Sequence, residues 1–320
     1  MVLVVVPGLV AAVGIALALT AEAGLAVTVR AMAAARVGDQ AHIAAAKAGA
    51  VLERNVLLLP ALRDAALQFD ADGDEPELRR RLADIAAGQP ALLRLLIVDA
   101  DGGTVVLQRD GGGWTVGGPE ASGADLRQRP LWSAAAAAAP GPVWTAPYAP
   151  PDGGLPWAAC ALAVRDANRA ITRVVAAEFA LGDLGVLLLP AGDPIDGRTV
   201  LVSARGEVLA GIAAPTGAPR VRAIEEQADA ALTAAAGIDA GATAYRDDLG
   251  DAPVLVAAAS LGDRAPPWRV LRSVPAAAAE RPAARAIRRT RLAAWGAVPL
   301  ATLAALTYAW ALTRARRRAA

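Results

Sequence analysis

The sequence holds one cysteine, Cys160, and one histidine, His42, in 320 residues. A single cysteine excludes an internal disulfide framework, so any folded lobe must be held by its own core. One cysteine and one histidine together also exclude a zinc site of the usual thiolate and imidazole composition. Charge of one sign is missing too. The 32 Lys and Arg stand against 31 Asp and Glu, a formal net charge of +1, so there is no global basic field to suggest nucleic acid. No serine nucleophile elbow, phosphate-binding loop or kinase signature occurs. His42 sits among alanines in a helical pattern and reads as a helix-surface residue. Asp247, Asp248 and Asp251 could pair for glycosidic chemistry, but their polar surroundings read as a solvated turn. The expectation is a protein that is not an enzyme, with no catalytic residues, no metal and no cofactor.

Long apolar runs, by contrast, stand at both ends. Residues 2–20 and 292–313 are each about 20 residues of almost wholly apolar sequence, enough for a helix to cross a ~30 Å hydrocarbon core. Everything between is mixed, Gly- and Pro-punctuated sequence. Arg314, Arg316, Arg317 and Arg318 follow the second run and argue for a cytoplasmic C-terminus. Arg281, Arg285, Arg288, Arg289 and Arg291 precede it and argue the opposite, but long domains translocate largely regardless of charge. Two spans put both termini on one face. The expectation is a two-pass protein of the cytoplasmic membrane with its lobe outside. Ala21-Glu22-Ala23 leaves open that the first run is a cleaved signal peptide; no Lys or Arg precedes that run, and its helical pattern continues to about Leu59.

The organisation follows from the periodicities. Residues 1–20 and 292–313 are the spans, 281–291 a basic juxtamembrane segment and 314–320 an arginine-rich tail. Residues 21–87 read as a stalk: one helix to about Gln68, possessing apolar positions Ile43, Ala46, Ala50, Leu52 and Val56 and a kink at Pro60, then a second helix from Glu75. The loop Asp70-Ala-Asp-Gly-Asp starts like a calcium-binding loop, but Arg81 stands where its bidentate glutamate belongs, so it reads as a helix-start loop. Residues 88–190 form a module whose strands include Leu92-Leu-Arg-Leu-Leu-Ile-Val-Asp, a glycine turn, Thr104-Val-Val-Leu-Gln and three later runs, about five antiparallel strands, with a helix around residues 131–139. Residues 191–280 begin the pattern again, with Thr199-Val-Leu-Val-Ser, a glycine turn and Val208-Leu-Ala, then a helix around residues 224–235 and two strands. The lobe reads as one α/β (α+β) module duplicated, the second copy trimmed.

These residues resemble the double Cache domain, the extracytoplasmic sensor of bacterial transmembrane receptors. The resemblance is carried by the stalk helix, Leu96-Ile-Val-Asp-Ala-Asp-Gly-Gly, Arg127-Gln-Arg-Pro-Leu-Trp, Trp144-Thr-Ala-Pro-Tyr, Val174-Val-Ala-Ala-Glu-Phe-Ala-Leu and Trp268-Arg-Val-Leu-Arg-Ser-Val-Pro, in that order. It implies two stacked PAS-like modules on antiparallel sheets, with the ligand in the membrane-distal one, residues 88–190. In members that bind amino acids, an Arg-Pro-Trp-Tyr segment holds the ligand carboxylate, a Pro-Tyr tyrosine lines the pocket and an Asp on the last strand holds the ammonium. Here Arg129-Pro130 matches the start, Leu131 and Trp132 stand where Trp and Tyr would be, Tyr148 matches the tyrosine, Glu178 replaces the Asp, and Ala124 stands where a further tyrosine is expected. The implied ligand-binding set is therefore Arg129, Leu131, Trp132, Tyr148 and Glu178, for an amino acid, amine or organic acid. Arg129 offers a planar donor fork for a carboxylate; Glu178 could accept from an amine. The same residues also allow a plainer arrangement, in which Arg129 and Glu178 pair with each other and the tryptophans are core.

Two functions stay open on the sequence. One is a sensor that relays ligand binding across the membrane to a separate kinase, cyclase or other output protein, or to a part of a longer receptor. The other is an envelope interaction or structural protein that docks a partner through the lobe. The alanine-rich stalk, and Ala293, Ala294, Gly296 and Ala297 in the last run, suggest a homodimer.

Overall fold

The computed structural model describes residues 2–72, 74–89, 91–110, 113–117, 125–150, 156–188, 197–211, 222–223, 237–246 and 253–319. The predicted helix at residues 224–235 and the turn at Asp247, Asp248 and Asp251 lie outside them.

A helix of 55 residues, α1 (Val2–Val56), opens the chain. It breaks at Leu57, and α2 (Leu58–Asp72) follows with Pro60 in its first turn. The kink predicted at Pro60 thus falls one turn earlier. A proline lacks the N–H that would bond the carbonyl four residues back, here that of Val56, so the ladder fails there and not at the ring itself. The buried stripe of α1 is also different from the one predicted. Ala33, Val37, Ala41, Ala45, Ala48 and Leu52 are buried at spacings of three and four, with Ala44 beside them, whereas Ile43 is 51% exposed and Ala46 and Ala50 face solvent. Small side chains win this face because the backbone comes very close: a Cβ on Gly49 would lie 2.0 Å from the Leu261 carbonyl oxygen. α3 (Glu75–Ala86) is capped by Asp74, whose Oδ1 accepts from the Glu77 N–H at 3.1 Å. Arg81 pairs with Glu77 at 2.8 Å, a helix-surface contact in keeping with the helix-start reading of this loop.

Two antiparallel six-stranded sheets follow. The first contains β1 (Leu92–Asp99), β2 (Thr104–Asp110), β3 (Gly113–Val116), β4 (Val143–Trp144), β5 (Trp157–Arg165) and β6 (Ile171–Ala180), in the order β3-β2-β1-β6-β5-β4. The helix α4 (Pro130–Ala137) lies between β3 and β4 in sequence, and α5 (Leu181–Leu184) with a 3₁₀ turn closes the module. The second sheet contains β7 (Arg198–Val202), β8 (Glu207–Gly211), β9 (Arg222–Ala223), β10 (Thr243–Arg246), β11 (Val254–Ser260) and β12 (Arg269–Pro275), in the order β10-β11-β12-β7-β8-β9. Matching β1 to β7, β2 to β8 and so on reproduces one order in both sheets. The first hairpins repeat as well. Gly102 (φ +99°) donates to the Asp99 carbonyl at 3.0 Å, and Gly206 (φ +80°) donates to the Ser203 carbonyl at 3.0 Å. Both turns need a left-handed residue at that step, which glycine adopts without strain. The strand beyond the predicted five in the first sheet is β3, a four-residue edge piece too brief to show as a sequence run; β4 falls at the start of the predicted run at residues 143–148.

The last element, α6 (Ala276–Ala319), is one 44-residue helix that carries the basic segment and the second apolar run without interruption. Two compact units divide the chain. One gathers residues 1–37, 245–255 and 274–320; the other gathers residues 38–244 and 256–273. In the first unit Arg30 and Glu280 join α1 to α6 at 4.0 Å, an exposed pair that adds little stability. Both apolar runs are helical, but the side chains of much of residues 2–20 and 292–313 lie outside the described set. Among the described residues no helix is long and apolar enough to cross a membrane.

Candidate functional site

The site predicted in the first module is built on one face of the first sheet. Side chains alternate along a strand, so Leu96 and Val98 of β1, Val174 and Ala176 of β6 and Ala159 and Ala161 of β5 share that face, where Leu126, Leu131 and Ala135 pack on them as one buried cluster. Arg94 and Glu178 continue the same face at its end: they are cross-strand partners in the β1–β6 register, and Ala159 is opposite Glu178 on β5. The apolar layer therefore runs into a polar patch.

Arg129 reaches that patch because its backbone is fixed on both sides. Asp125 caps the 3₁₀ turn Leu126–Gln128, accepting from the Arg127 N–H at 3.0 Å, and also holds the Arg127 guanidinium at 2.8 and 2.9 Å. Arg127 in turn donates to the Ala100 carbonyl at 2.8 Å, which ties the segment to the β1–β2 turn. The Arg127 guanidinium holds the Asp125 carboxyl below its usual range. Arg129 itself is extended (φ −80°, ψ 156°), as a residue before proline prefers, and Pro130 starts α4 at the position where its missing N–H costs nothing. Leu131, fully buried, then pins α4 to the core; burying a leucine contributes roughly 1.5–3 kcal/mol.

Tyr148 is placed by the edge of the sheet. Its N–H donates to the Trp157 carbonyl and the Trp157 N–H donates to its carbonyl, each at 2.9 Å. Three residues earlier, the Ala159 N–H donates to Thr145 Oγ1 at 2.9 Å. The Tyr148 hydroxyl then donates to Glu178 Oε1 at 2.5 Å. Burial first, and the Glu178 charge second, push the phenol well above its ordinary pKa, so it stays a donor.

Glu178 is completely buried. Beyond Tyr148, Arg129 Nη1 lies 3.5 Å from Oε1 and Arg94 Nε lies 3.7 Å from Oε2. The Arg94 guanidinium also stacks over the Trp157 ring, 4.1 Å from its centroid. The structure thus brings Arg129, Tyr148 and Glu178 together and adds Arg94 and Trp157, which the sequence reading missed. The available signal was an arginine in the middle of an otherwise apolar strand run. Trp132 and Tyr148 both pack, half-buried, against the apolar cluster. Leu131 is inside that cluster and not at the polar patch. Arg129 and Glu178 lie within ion-pair distance of each other.

Other features fall elsewhere. Trp144 lies on the opposite face, 5.8 Å from Phe179 and 6.1 Å from Trp268 between ring centroids, and donates to the Arg264 carbonyl at 3.2 Å. Cys160 is buried on that face also, with its thiol pushed up to about 12 by burial. His42 is exposed on α1. Asp166 is a turn residue, accepting from the Asn168 and Ala170 N–H groups at 2.8 Å each.

No family model matches the sequence. No curated protein matches it. Solved structures do. The ligand-binding domain of the Pseudomonas aeruginosa PAO1 amino acid chemoreceptor PctB, in complex with L-Arg, is 17% identical over 76% of this chain and 94% of that one, with a TM-score of 0.56. The sensory domain of the Campylobacter jejuni chemoreceptor Tlp3 with isoleucine bound is 14% identical over 81% and 97%, TM-score 0.56. The ligand-binding domain of the P. aeruginosa chemoreceptor PctC in complex with GABA is 20% identical over 76% and 98%, TM-score 0.55. At these identities the likeness is one of fold, and it agrees with the resemblance read from the sequence: the lobe has the double Cache fold of these sensor domains.

Proposed function

We propose that the chain is a membrane-anchored extracytoplasmic sensor whose first module binds a small amino acid, amine or organic acid at Arg129, Trp132, Tyr148 and Glu178, with Leu131 behind them. The observation that carries the reading is the buried cluster of Arg94, Arg129, Tyr148 and Glu178 at the end of the α4 face. Charged groups with donors and acceptors converging beside aromatic rings are what a zwitterion or carboxylate needs. The fold supports it too, because neighbours of the same fold are chemoreceptor domains in complex with L-Arg or GABA or with isoleucine bound.

In this reading the ligand carboxylate takes Arg129 away from Glu178. The glutamate keeps Arg94 and Tyr148, or accepts a ligand ammonium. That exchange moves the start of α4 relative to β6, and the change passes through the lobe to α1 and α6. The two apolar runs at residues 2–20 and 292–313 anchor the lobe in the cytoplasmic membrane by their length, and a homodimer working on a separate kinase, cyclase or other output protein completes the relay. The module boundaries are 21–87 for the stalk, 88–190 for the ligand-binding module and 191–280 for the membrane-proximal one.

The 3.5 Å contact between Arg129 and Glu178 favours a second reading, an envelope interaction protein in which the cluster only ties α4 to the sheet. A thermal-shift screen of the full chain against amino acids, amines and organic acids separates the two. Ligand binding to the folded state alone at 100 times Kd stabilises it by about 2.7 kcal/mol. The sensor reading expects at least one compound to raise Tm for the wild type and not for Arg129→Ala. A screen in which nothing raises Tm favours the second reading.

A further inference from the structure

The segment that carries Tyr148 also touches the second module. β4 is the edge strand of the first sheet, paired with β5 at Val143–Ala161 and Trp144–Cys160, and the Thr145 N–H then donates to the Ala159 carbonyl at 2.8 Å. Alternation gives this strand two faces. Val143 packs on the apolar cluster under α4, and Tyr148, further along, reaches Glu178. Trp144 points the other way. Its ring meets those of Phe179 and Trp268 at centroid distances of 5.8 and 6.1 Å, where aromatic pairs attract. Its Nε1 donates to the Arg264 carbonyl at 3.2 Å. Arg264 and Trp268 both belong to residues 261–268, the loop between β11 and β12.

The far side of that loop is seated on α1. A Cβ on Gly49 would lie 2.0 Å from the Leu261 carbonyl oxygen, and one on Gly262 (φ +126°) would lie 2.7 Å from Glu53 Oε1. Leu261, Ala265 and Trp268 are buried. Close-packed contacts of this kind transmit displacement because they cannot absorb it. We propose that Trp144 is a coupling residue, which carries a change at Tyr148 and Glu178 through residues 261–268 to α1 around Gly49 and Glu53. Its purpose rests on the sensor reading, whereas the coupling is a property of the chain without ligand. Spatial continuity is not itself coupling, which is a free energy between two sites and is measured as one.

The test is a double-mutant cycle read by amide hydrogen exchange of the full chain in detergent micelles. Tyr148→Phe keeps the ring and removes the donor to Glu178. It is expected to speed exchange several-fold at residues 261–265 and 49–53, relative to the β7–β8 hairpin, whose amides serve as the reference for global destabilisation. Trp144→Phe removes the donor to Arg264 and narrows the ring. In that background Tyr148→Phe is expected to leave residues 261–265 unchanged while still speeding exchange at Trp157 and Ala159. The proposal is overturned if Tyr148→Phe leaves residues 261–265 or 49–53 at the wild-type rate, or if their response is the same with Trp144→Phe present. If Trp144→Phe does not fold, Trp268→Phe decides: it keeps the bond to Arg264, narrows the ring packed against Trp144, and must at least halve the response. A response that it leaves undiminished overturns the proposal. No ligand enters the cycle, so a compound screen in which nothing raises Tm defeats the sensor reading without touching the coupling.

Discussion

Replacing Glu178 by glutamine removes a carboxylate that lies by both Arg94 and Arg129 in the first module. Glu178 is fully buried, and the side chains of Arg94 and Arg129 are 5% and 14% exposed. Breaking a buried ion pair by deleting one partner costs about 3–5 kcal/mol, because the remaining charge stays desolvated. The glutamine amide oxygen can still accept from Tyr148, so that hydrogen bond, worth about 1 kcal/mol, is not counted as lost. Against a total stability of about 5–15 kcal/mol this is a large fraction. At about 2–4 °C per kcal/mol for a domain of this size, Tm should fall by roughly 6–20 °C. The assay is equilibrium urea unfolding followed by tryptophan emission, for which Trp157, stacked under Arg94 at 4.1 Å, is a local reporter. A triple replacement, Arg94→Met with Arg129→Met and Glu178→Leu, removes the charges together and should come within about 2 kcal/mol of wild type or exceed it. If Glu178→Gln costs less than about 1 kcal/mol, the carboxylate does not compensate these guanidinium groups, and the electrostatic account of the site is wrong.

Other expectations follow from single residues. Glu77 is held at about 2, below its ordinary 4.5, chiefly by its bonds to Arg80 and Arg81; a depressed carboxylate stabilises above its unfolded pKa, so that contribution should fade as pH drops from about 4.5 towards 2, and Glu77→Gln should flatten that limb of a Tm-versus-pH profile. The Cys160 thiol, buried and raised to about 12, should resist a thiol reagent at pH 8 in the native protein and react at the rate of unfolding in urea. Gly49→Ala drives a Cβ into the Leu261 carbonyl and should cost at least 1–3 kcal/mol by overpacking, whereas Gly24→Ala, with nothing within 4 Å, should stabilise α1 by about 1 kcal/mol in urea unfolding.

Much of this architecture was legible because the strands are long and punctuated. Leu92–Asp99 ends at a turn that needs Gly102, Ile171–Ala180 begins after a turn held by Asp166, and the strand–glycine–strand opening recurs at Arg198–Val202. Arg129 was legible from its proline, which fixes both its own extended backbone and the start of α4. Arg94 was not. An arginine inside an apolar strand is informative only once the β1–β6 register places it opposite Glu178, and register is a tertiary property. The buried face of α1 was misread for a similar reason. Ile43 outranks alanine in hydrophobicity, but a helix that approaches as closely as Gly49 does to Leu261 selects for small side chains. Whether Arg129 and Glu178 hold each other or a ligand could not be read from residue types at all, because both arrangements use the same two groups.

The most direct measurement is isothermal titration calorimetry of the full chain and of Arg129→Ala with the compound that raises Tm most in the screen. The account predicts one site per chain, with affinity reduced roughly 10–150-fold in the variant, the equivalent of a charged hydrogen bond of about 1.5–3 kcal/mol. Equal affinity in the two proteins would contradict it.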